Sequence, residues 1–256
     1  MKFGDERTQV VRDLVQRVTA RLDPARVRRI VDLGCGPGNS TAVLARQWPH
    51  AELTGLDFSE EMLAAARARY PEISFSAADI VAWAVGEAAA FDLVFSNSAL
   101  HWVPAHVNLL PRLFARVAPG GALAFQVPAN WASASCQLPR QLAATPDWQE
   151  YFLPGRISDW DSAELSVYYG TLAPLAAGVE LWETEYVQVV ESAESILAWY
   201  QGSGLRPFLA ALPDEPARRR FSDQYLEGLR RAYPPAADGR VLFPFRRRFV
   251  IASQAG

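Results

Sequence analysis

The chain has 256 residues, of which 50% are hydrophobic and 21% are charged. This composition is typical of a soluble globular protein with a sizeable core and argues against disorder. The formal net charge of −3 gives no electrostatic reason to expect a nucleic acid as partner. Residues 1–7 carry acids where a signal peptide needs an apolar core, and no apolar run is long enough to span a membrane. We therefore expect a cytoplasmic protein that binds neither nucleic acid nor membrane.

Cysteine and histidine usage predicts neither a disulfide framework nor a metal site. Cys35 and Cys136 are too few for such a framework and lack metal-ligand spacing. Among His50, His101 and His106, no pair has the helical spacing and nearby acid of an H-E-x-x-H zinc motif. We expect a reducing environment and no bound metal.

The first half of the chain alternates short apolar segments with amphipathic ones, which is the pattern of a parallel sheet covered by helices on both faces. Helices are predicted at 10–21, at 39–47, after a cap at Ser59, and at 107–117. Strands are predicted at 29–33, 53–57, 73–76, 91–96 and 122–127. Two later strands, at 179–190 and 247–253, bring the expected number to seven.

Three segments are predicted along the chain. Residues 1–128 form a cofactor-binding core, and residues 129–178 form a cap, because the periodicity fades there among Ser, Pro and Gly. Residues 179–256 complete the sheet, with a helical insertion at about 192–238. The expected fold class is α/β: a Rossmann-like, doubly wound, mostly parallel seven-stranded sheet with an inserted, mainly helical cap.

Three alternating glycines, Gly34, Gly36 and Gly38, follow the first strand and enter a helix, with Asp32 two residues ahead of them. Glycines at such a turn let a ligand approach the backbone closely. The dinucleotide fingerprint G-x-G-x-x-G fails because Asn39 occupies its sixth position, and no Lys-Ser or Lys-Thr follows to make a P-loop. The pattern instead resembles the first motif of class I S-adenosylmethionine-dependent methyltransferases.

Asp57 strengthens this resemblance. It ends the second strand, 21 residues after Gly36 in the chain, where a carboxylate can accept hydrogen bonds from both hydroxyls of a ribose. The alternative is that Asp57 only caps the next helix. The resemblance implies S-adenosylmethionine as cofactor and places its contacts at Asp32, Gly34, Cys35, Gly36, Gly38, Asp57, Phe58, Met62, Asp79, Ile80 and Asn97.

The later cofactor positions follow the third and fourth strands. The resemblance places Asp79 and Ile80 at the adenine edge and ring, with an ordinary loop as the alternative, and Asn97 at the methionine part. His101 and Trp102 come directly afterwards, beside the expected methyl group, where an aromatic face would stabilise a sulfonium. The alternatives are that His101 shapes the pocket without proton chemistry and that Trp102 only packs.

Several motifs outside the cofactor core point to a narrower family. They are Phe3-x-x-Glu6-Arg7, Leu100-His101-Trp102, Gln126-Val127-Pro128-Ala129-Asn130-Trp131, Gly204-Leu205-Arg206-Pro207 and Asp238-Gly239-Arg240. Together with the glycine motif they resemble the trans-aconitate 2-methyltransferase family over most of the chain. The resemblance implies methyl transfer to a carboxylate, a small carboxylic acid as partner, and a lid formed by Phe3 to Arg7.

Methylation of a carboxylate needs no general base, because a carboxyl with a reference pKa of about 4 is already ionised at neutral pH. We therefore assign no catalytic acid or base, and expect the protein to supply alignment and exclusion of water. Arginine forks, neutral donors and aromatic faces are the expected substrate contacts. The candidates are Phe3, Arg7, His101, Trp102, Gln126, Asn130, Trp131, Tyr168, Arg206 and Arg246.

Each candidate arginine has a structural alternative. For Arg7 it is an ion pair on an N-terminal helix, and for Arg206 it is bonding to local carbonyls. For Arg246 it is a solvated face shared with Arg247 and Arg248.

The chain also departs from the family pattern, at Gln9, Cys136, Pro139, Gln141, Gly170 and Glu183. Most of these positions lie in the predicted cap, which leaves the reaction class better supported than the substrate. One alternative is an acceptor that is a different small acid or a biosynthetic intermediate. Another is cyclisation or alkyl transfer from S-adenosylmethionine, and a third is a non-catalytic binding protein that retains the fold.

Overall fold

The computed structural model describes residues 4–86, 90–153, 155, 157 and 162–256, with side chains from residue 8 onward. Phe3 and the side chain of Arg7, both predicted in the lid, lie outside this part. The α-helices of the described residues are α1 (Gly4–Thr19), α2 (Asn39–Gln47), α3 (Glu60–Arg69), α4 (Ile80–Val85), α5 (Leu110–Phe114), α6 (Ala134–Ala143), α7 (Leu165–Leu172), α8 (Ala193–Gln201), α9 (Arg206–Ala211) and α10 (Glu215–Ala232).

The strands form a single seven-stranded sheet in the order β3-β2-β1-β4-β5-β7-β6. They are β1 (Arg29–Leu33), β2 (Glu52–Asp57), β3 (Ser74–Ala77), β4 (Phe91–Asn97), β5 (Val117–Pro128), β6 (Gly178–Val190) and β7 (Val241–Ser253). The pairs from β3 through β5 are parallel, whereas β7 runs antiparallel to β5. This architecture confirms the predicted α/β, Rossmann-like fold class.

The strand order reverses between β1 and β4. The chain winds outward from β1 through β2 and β3, and then returns to place β4 on the other side of β1. In open α/β sheets, ligands bind outside the carboxyl ends of the strands at such a reversal. We therefore expect a ligand-binding site among the loops that follow β1, β2, β4 and β5.

Four predicted elements differ from the structure by more than two residues. The first helix, predicted at 10–21, spans Gly4–Thr19, and the last strand, predicted at 247–253, begins at Val241. The predicted helix at 107–117 is a 3₁₀-helix, His106–Leu109, followed by the short helix α5. The strand predicted from residue 122 begins at Val117, because Pro119-Gly120-Gly121 is an irregularity inside β5 rather than the turn before it. The register with β4 shifts there, from Phe91 opposite Val117 to Leu93 opposite Ala122.

The chain divides into two compact units. The first comprises Met1–Pro128, Trp160–Thr184 and Arg247–Gly256, and the second comprises Ala129–Asp159 and Glu185–Arg246. The predicted cap, 129–178, thus has residues in both units. Its last helix, α7, belongs to the first unit because Tyr168 and Leu172 are fully buried in that unit's core.

The first unit has an aliphatic core beneath the sheet. Its buried members include Val31 of β1, Val94 of β4, Leu123 and Phe125 of β5, and Val250 of β7. The strands are nearly continuous apolar runs, as expected where a parallel sheet is covered on both faces. This core holds the carboxyl ends of β1, β4 and β5 in a fixed register.

The second unit has an aromatic core. Trp148 packs edge-on against Phe221, with ring centroids 5.1 Å apart, and its Nε1 donates to Gln224 Oε1 at 2.6 Å. Tyr225 is also buried, and its hydroxyl donates to the Ser135 backbone oxygen at 2.9 Å. No helix in the described part of the chain combines the length and the apolar character needed to traverse a bilayer.

Candidate active site at the carboxyl ends of the central strands

The glycine loop, residues 34–38, turns sharply after β1 and is bound to β2. The backbone nitrogens of Gly34 and Cys35 donate to the Leu56 oxygen at 2.7 and 2.9 Å. Gly34 has a φ of +70°, and a Cβ built on it would lie 2.2 Å from the Cβ of Ala99. Only glycine fits at this position, because a side chain would be both strained and in collision.

Gly36 is constrained differently. Its φ is +55°, but a Cβ built there would meet no described atom within 4 Å. The loop therefore faces open space at this residue, and its backbone is accessible to a ligand. Its N–H donates to Asp57 Oδ2 at 2.8 Å, which joins the glycine loop to the end of β2.

Asp57 is largely buried and bridges two loops. Besides the contact with Gly36, its Oδ1 accepts a hydrogen bond from the Ser59 nitrogen at 2.9 Å. The cap of α3 is Ser59, whose hydroxyl accepts from the Met62 nitrogen at 3.4 Å. The simple alternative for Asp57 as cap of that helix is therefore wrong. Phe58, the next residue, is 82% exposed and presents a free aromatic face beside this carboxylate.

Asp32 lies beneath the glycine loop. It is completely buried, and its Oδ2 accepts hydrogen bonds from the hydroxyls of Ser40 and Thr41, both at 2.7 Å. Burial raises the pKa of this carboxyl to about 6, against the opposing effect of the two hydroxyl donors. Asp32 thus fixes the start of α2 against β1, and its predicted contact with the cofactor stays a prediction.

Cys35 is buried inside the same loop. Burial, together with the charges of Asp32 and Asp57, raises the pKa of its thiol well above the ordinary value. The side chain is therefore a neutral thiol at physiological pH, inside the loop rather than on its surface.

Asp79 and Ile80 lie at the start of α4, which sequence reasoning did not predict. The exposed Asp79 caps this helix, because its Oδ1 accepts from the Ala82 nitrogen at 2.8 Å. Ile80 packs partly against the core of the first unit. Capping occupies only one oxygen atom, so the predicted contact of Asp79 with adenine stays a prediction.

The ends of β4 and β5 carry a polar group that we name the Arg247 cluster: Asn97, Ser98, Gln126 and Arg247. The buried Gln126 donates from Nε2 to Asn97 Oδ1 at 2.8 Å and also makes a short hydrogen bond to Ser98 Oγ. Arg247 Nη1 donates to Ser98 Oγ at 2.9 Å. Asn97 and Gln126, both predicted site residues, are thus brought together.

Sequence reasoning missed Arg247. In the structure it is only 7% exposed, whereas the predicted Arg246 is exposed. The sequence of β7 contained a signal for the burial of Arg247, because side chains two residues apart lie on the same face of a strand. Phe243, Phe245 and Phe249 are buried at alternate positions, and Arg247 falls in the same series. Three consecutive arginines obscured this alternation.

His101 and Trp102 lie in a 3₁₀-helix directly after β4. Their ring centroids are 4.9 Å apart; His101 is buried, while Trp102 is 47% exposed. Burial, aided by the positive charge of Arg247, lowers the pKa of His101 to about 3. The imidazole is therefore neutral at physiological pH, which agrees with a residue that shapes the site without proton chemistry.

Tyr168 belongs to the core rather than to an accessible surface. It is fully buried, its hydroxyl is 2.7 Å from His106 Nε2, and the Ala163 nitrogen donates to that hydroxyl at 3.1 Å. The predicted substrate contact is therefore not retained, because the hydroxyl is used inside the fold.

Four predicted substrate residues belong to the second unit. Asn130 is buried, and its Oδ1 accepts from the Arg246 nitrogen at 2.6 Å. The Trp131 ring lies 3.8 Å from the guanidinium of Arg140. Arg206 is exposed and begins α9, and the exposed Arg246 side chain pairs with Glu185 at 3.4 Å. Asn130 and Arg246 are thus brought together, through a backbone contact.

Among the described residues, no three or more His, Cys, Asp or Glu side chains are arranged to hold a metal ion. Two of the family departures have clear structural roles. Glu183 pairs with Arg248 at 3.0 Å in the first unit, and the buried Cys136 contacts the Tyr200 hydroxyl at 3.3 Å in the second. Neither lies in the glycine loop or the Arg247 cluster.

The site consists of a glycine loop at the reversal of a parallel sheet and a carboxylate at the end of β2 that accepts a hydrogen bond from this loop. These features and the similarity to known proteins together define the class to which the chain belongs. Residues 30–121 match the family model described as a methyltransferase domain. Among solved structures, the phosphoethanolamine N-methyltransferase 2 of Haemonchus contortus, in complex with S-adenosyl-L-methionine, has a TM-score of 0.55 at 16% identity. That alignment covers 97% of this chain and 53% of that one. The chain is a methyltransferase-fold protein.

Similarity to curated relatives narrows the class. Trans-aconitate 2-methyltransferase of Azoarcus sp. (strain BH72) is 45% identical over 254 residues, covering 98% of this chain and 96% of the relative. The enzyme of the same name from Methylobacterium radiotolerans is 43% identical, covering 99% and 96%. The chain therefore belongs to the trans-aconitate 2-methyltransferase family, which confirms the resemblance found in the sequence.

Proposed function

We propose that this protein transfers a methyl group from S-adenosylmethionine to a carboxylate of a small polycarboxylic acid, with trans-aconitate as the first candidate. The observation that carries the proposal is the contact between the Gly36 N–H and Asp57 Oδ2. It fixes a carboxylate beside an accessible stretch of backbone at the reversal of the sheet. The acceptor is supported by the names of relatives at 45% and 43% identity over nearly the whole chain.

The residues around the glycine loop fit a nucleoside with a positively charged sulfur. Asp57 is a hydrogen-bond acceptor suited to ribose hydroxyls, and Phe58 offers an exposed aromatic face suited to a purine. The open space at Gly36 leaves room for the ligand to contact the backbone. When bound, S-adenosylmethionine supplies an electrophilic methyl group on a sulfonium. Buried carboxylates beside the loop favour this positive charge.

Among the described side chains near the end of β4, none stands out as a general acid or base. The pKa of His101 is lowered to about 3, so its imidazole is uncharged at neutral pH and is not an imidazolium that could act as a general acid. A carboxylate acceptor needs none, since it is ionised and loses no proton when it forms an ester. The chain's task is to align the acceptor oxygen and exclude water, with Trp102 supplying an aromatic face.

The test is turnover with purified protein, S-adenosylmethionine and a panel of small polycarboxylates, with cofactor products and acid masses followed by mass spectrometry. We expect S-adenosylhomocysteine and a monomethyl ester of trans-aconitate in equal amounts. Formation of a methyl ester of a different acid would contradict trans-aconitate as the substrate but support the proposed methyl transfer. Methylthioadenosine without any methylated acid would instead identify cyclisation or alkyl transfer. Cofactor binding without turnover on the whole panel would favour a non-catalytic protein.

A further inference from the structure

Gln126 is the buried centre of the Arg247 cluster. It has no exposed surface, so its side chain reaches a ligand only through a neighbouring residue. The register of the sheet places it directly opposite Asn97 of β4. Paired residues of adjacent strands turn their side chains to the same face of the sheet, and this explains why Gln126 and Asn97 are in contact.

The neighbours of Gln126 fix the orientation of its amide. Arg247 Nη1 lies 3.5 Å from Gln126 Oε1, and a guanidinium has N–H donors but no acceptor. The amide oxygen must therefore be the atom that faces Arg247. Nε2 is left to donate both of its hydrogens, one to Asn97 Oδ1 at 2.8 Å and one to Ser98 Oγ. This orientation depends on the N–H groups of Arg247 and not on its net charge.

The orientation of Gln126 in turn fixes that of Asn97. Because Gln126 Nε2 is a donor, Asn97 presents its oxygen to it and turns its own Nδ2 away. No described residue accepts a hydrogen bond from this Nδ2, and the side chain of Asn97 is only partly buried. The contacts that lead from Arg247 through Gln126 to Asn97 therefore leave an NH2 group available to a ligand as a hydrogen-bond donor.

Asn97 lies next to the glycine loop. Asp32 of β1 pairs with Phe95 of β4, and this register brings Gly34, the first residue of the loop, to the end of β4. A Cβ built on Gly34 would lie 2.2 Å from the Cβ of Ala99, so the segments after the two strands are in close contact. A ligand on the loop backbone is therefore near the Asn97 amide, and the cofactor is the ligand that this loop is expected to hold.

We propose that Gln126 is a positioning residue, which holds the Asn97 amide with its NH2 group toward the carboxylate of the cofactor's methionine part. This assignment rests on S-adenosylmethionine as the cofactor of the proposed function. The two orientations of an amide have nearly the same shape, but only the NH2 end donates to a carboxylate, whereas the oxygen end repels it. Because Gln126 fixes the orientation before the ligand binds, less order has to be imposed on binding.

The test reverses the hydrogen-bonding polarity of residue 126 and nearly keeps its shape. Gln126→Glu replaces Nε2 with an acceptor, so Asn97 must turn its NH2 group inward and its oxygen toward the ligand. Calorimetric titrations at pH 8 keep the new carboxyl ionised. We expect the Kd for S-adenosylhomocysteine to rise by about 10- to 100-fold. The Kd for methylthioadenosine, which has the nucleoside and the sulfur but no carboxylate, should stay within about twofold of wild type.

Three further variants separate positioning from a general effect of charge or packing. Asn97→Ala removes the amide, and in that background Gln126→Glu should change the Kd for S-adenosylhomocysteine by no more than about twofold. Gln224→Glu is the matched control, because Gln224 is a partly buried acceptor for Trp148 in the second unit, and its Kd should stay unchanged. If Gln126→Glu does not fold, Gln126→Met is titrated with the same two ligands, and we expect a rise of about threefold to tenfold for S-adenosylhomocysteine alone.

Four results would overturn the assignment while leaving the proposed function intact. They are an unchanged Kd for S-adenosylhomocysteine in Gln126→Glu, an equal loss for methylthioadenosine, an equal loss in the Asn97→Ala background, and weaker binding of trans-aconitate in place of S-adenosylhomocysteine. The last would assign the Asn97 amide to the acceptor. Wild-type protein that binds S-adenosylhomocysteine but methylates no acid would overturn the proposed function and leave this assignment standing. Wild-type protein that does not bind S-adenosylhomocysteine would overturn both.

Discussion

The glycine loop and the Arg247 cluster lie along the same edge of one sheet and differ in their charged groups. Around the loop, buried carboxylates of Asp32 and Asp57 create a negative region. At the ends of β4 and β5, a buried charged side chain is the guanidinium of Arg247, and the nearby imidazole of His101 is neutral. The loop therefore suits the nucleoside of the proposed cofactor, whereas the residues at and after the end of β4 include Asn97 and Trp102, which the sequence predicts beside the cofactor's methionine part and methyl group.

Substitutions in the glycine loop should have the largest effect, which is on the free energy of unfolding. Gly34→Ala combines a left-handed φ with a Cβ that would lie 2.2 Å from Ala99. We expect a loss of about 4 kcal/mol in the free energy of unfolding, measured by chemical denaturation. Gly36→Ala shares the positive φ but has open space, and should lose about 1 kcal/mol while binding the cofactor more weakly. Equal losses in stability would contradict this picture of the loop.

The pKa of Asp32 makes stability depend on pH. In the unfolded chain the carboxyl ionises near its ordinary pKa of 3.8, but in the folded protein it keeps its proton up to about pH 6. The free energy of unfolding therefore falls as pH rises through this window, by about 3 kcal/mol from this group. Asp32→Asn removes the effect. Wild type should lose stability relative to this variant between pH 4 and 7, and parallel curves would refute the assignment.

Asp57 is expected to act mainly on cofactor affinity. Asp57→Asn removes the negative charge that the ribose hydroxyls would meet. We expect the Kd for S-adenosylhomocysteine, measured by calorimetry, to rise by about 100-fold, or about 2.7 kcal/mol. Glu61→Gln, an exposed carboxylate in the first turn of α3, is the matched control and should leave Kd unchanged. A comparable loss in both variants would indicate a general charge effect.

His101 should show the smallest effect on pH dependence. Its pKa of about 3 keeps the imidazole neutral throughout an assay between pH 5 and 8. The pH profile of kcat/KM should therefore have the same shape in wild type and in His101→Gln, even where the variant is slower. An inflection near pH 6.5 that disappears in the variant would show that this histidine takes part in proton transfer.

Sequence alone predicted most of the elements in the first half of the fold. β1 and α2 have the predicted bounds, and Ser59 caps α3 as expected. These elements are set by local signals, an apolar run ended by glycines and a hydroxyl before early acids. α4 was not predicted, because it has only six residues after its cap at Asp79 and is too short to show an amphipathic period.

Site residues could be predicted where the backbone conformation requires a particular residue type. They were harder to predict where the role of a residue depends on its burial in the folded protein. The glycines and Asp57 could be read from spacing alone. Tyr168 and Arg247 could not, since a tyrosine's use in a core and an arginine's burial depend on strands distant in sequence. β7 reaches β5 only in the folded chain, where Arg247 lies opposite Pro128.

The glycine loop and Asp57 are expected to hold the nucleoside of the cofactor and not the acid. The direct test is a crossed titration by calorimetry, with S-adenosylhomocysteine titrated into each protein and trans-aconitate titrated into protein saturated with S-adenosylhomocysteine. We predict that Asp57→Asn weakens the first binding and spares the second, whereas Glu61→Gln leaves both unchanged. An Asp57→Asn variant that weakens the binding of both ligands equally, or only that of trans-aconitate, would contradict the account.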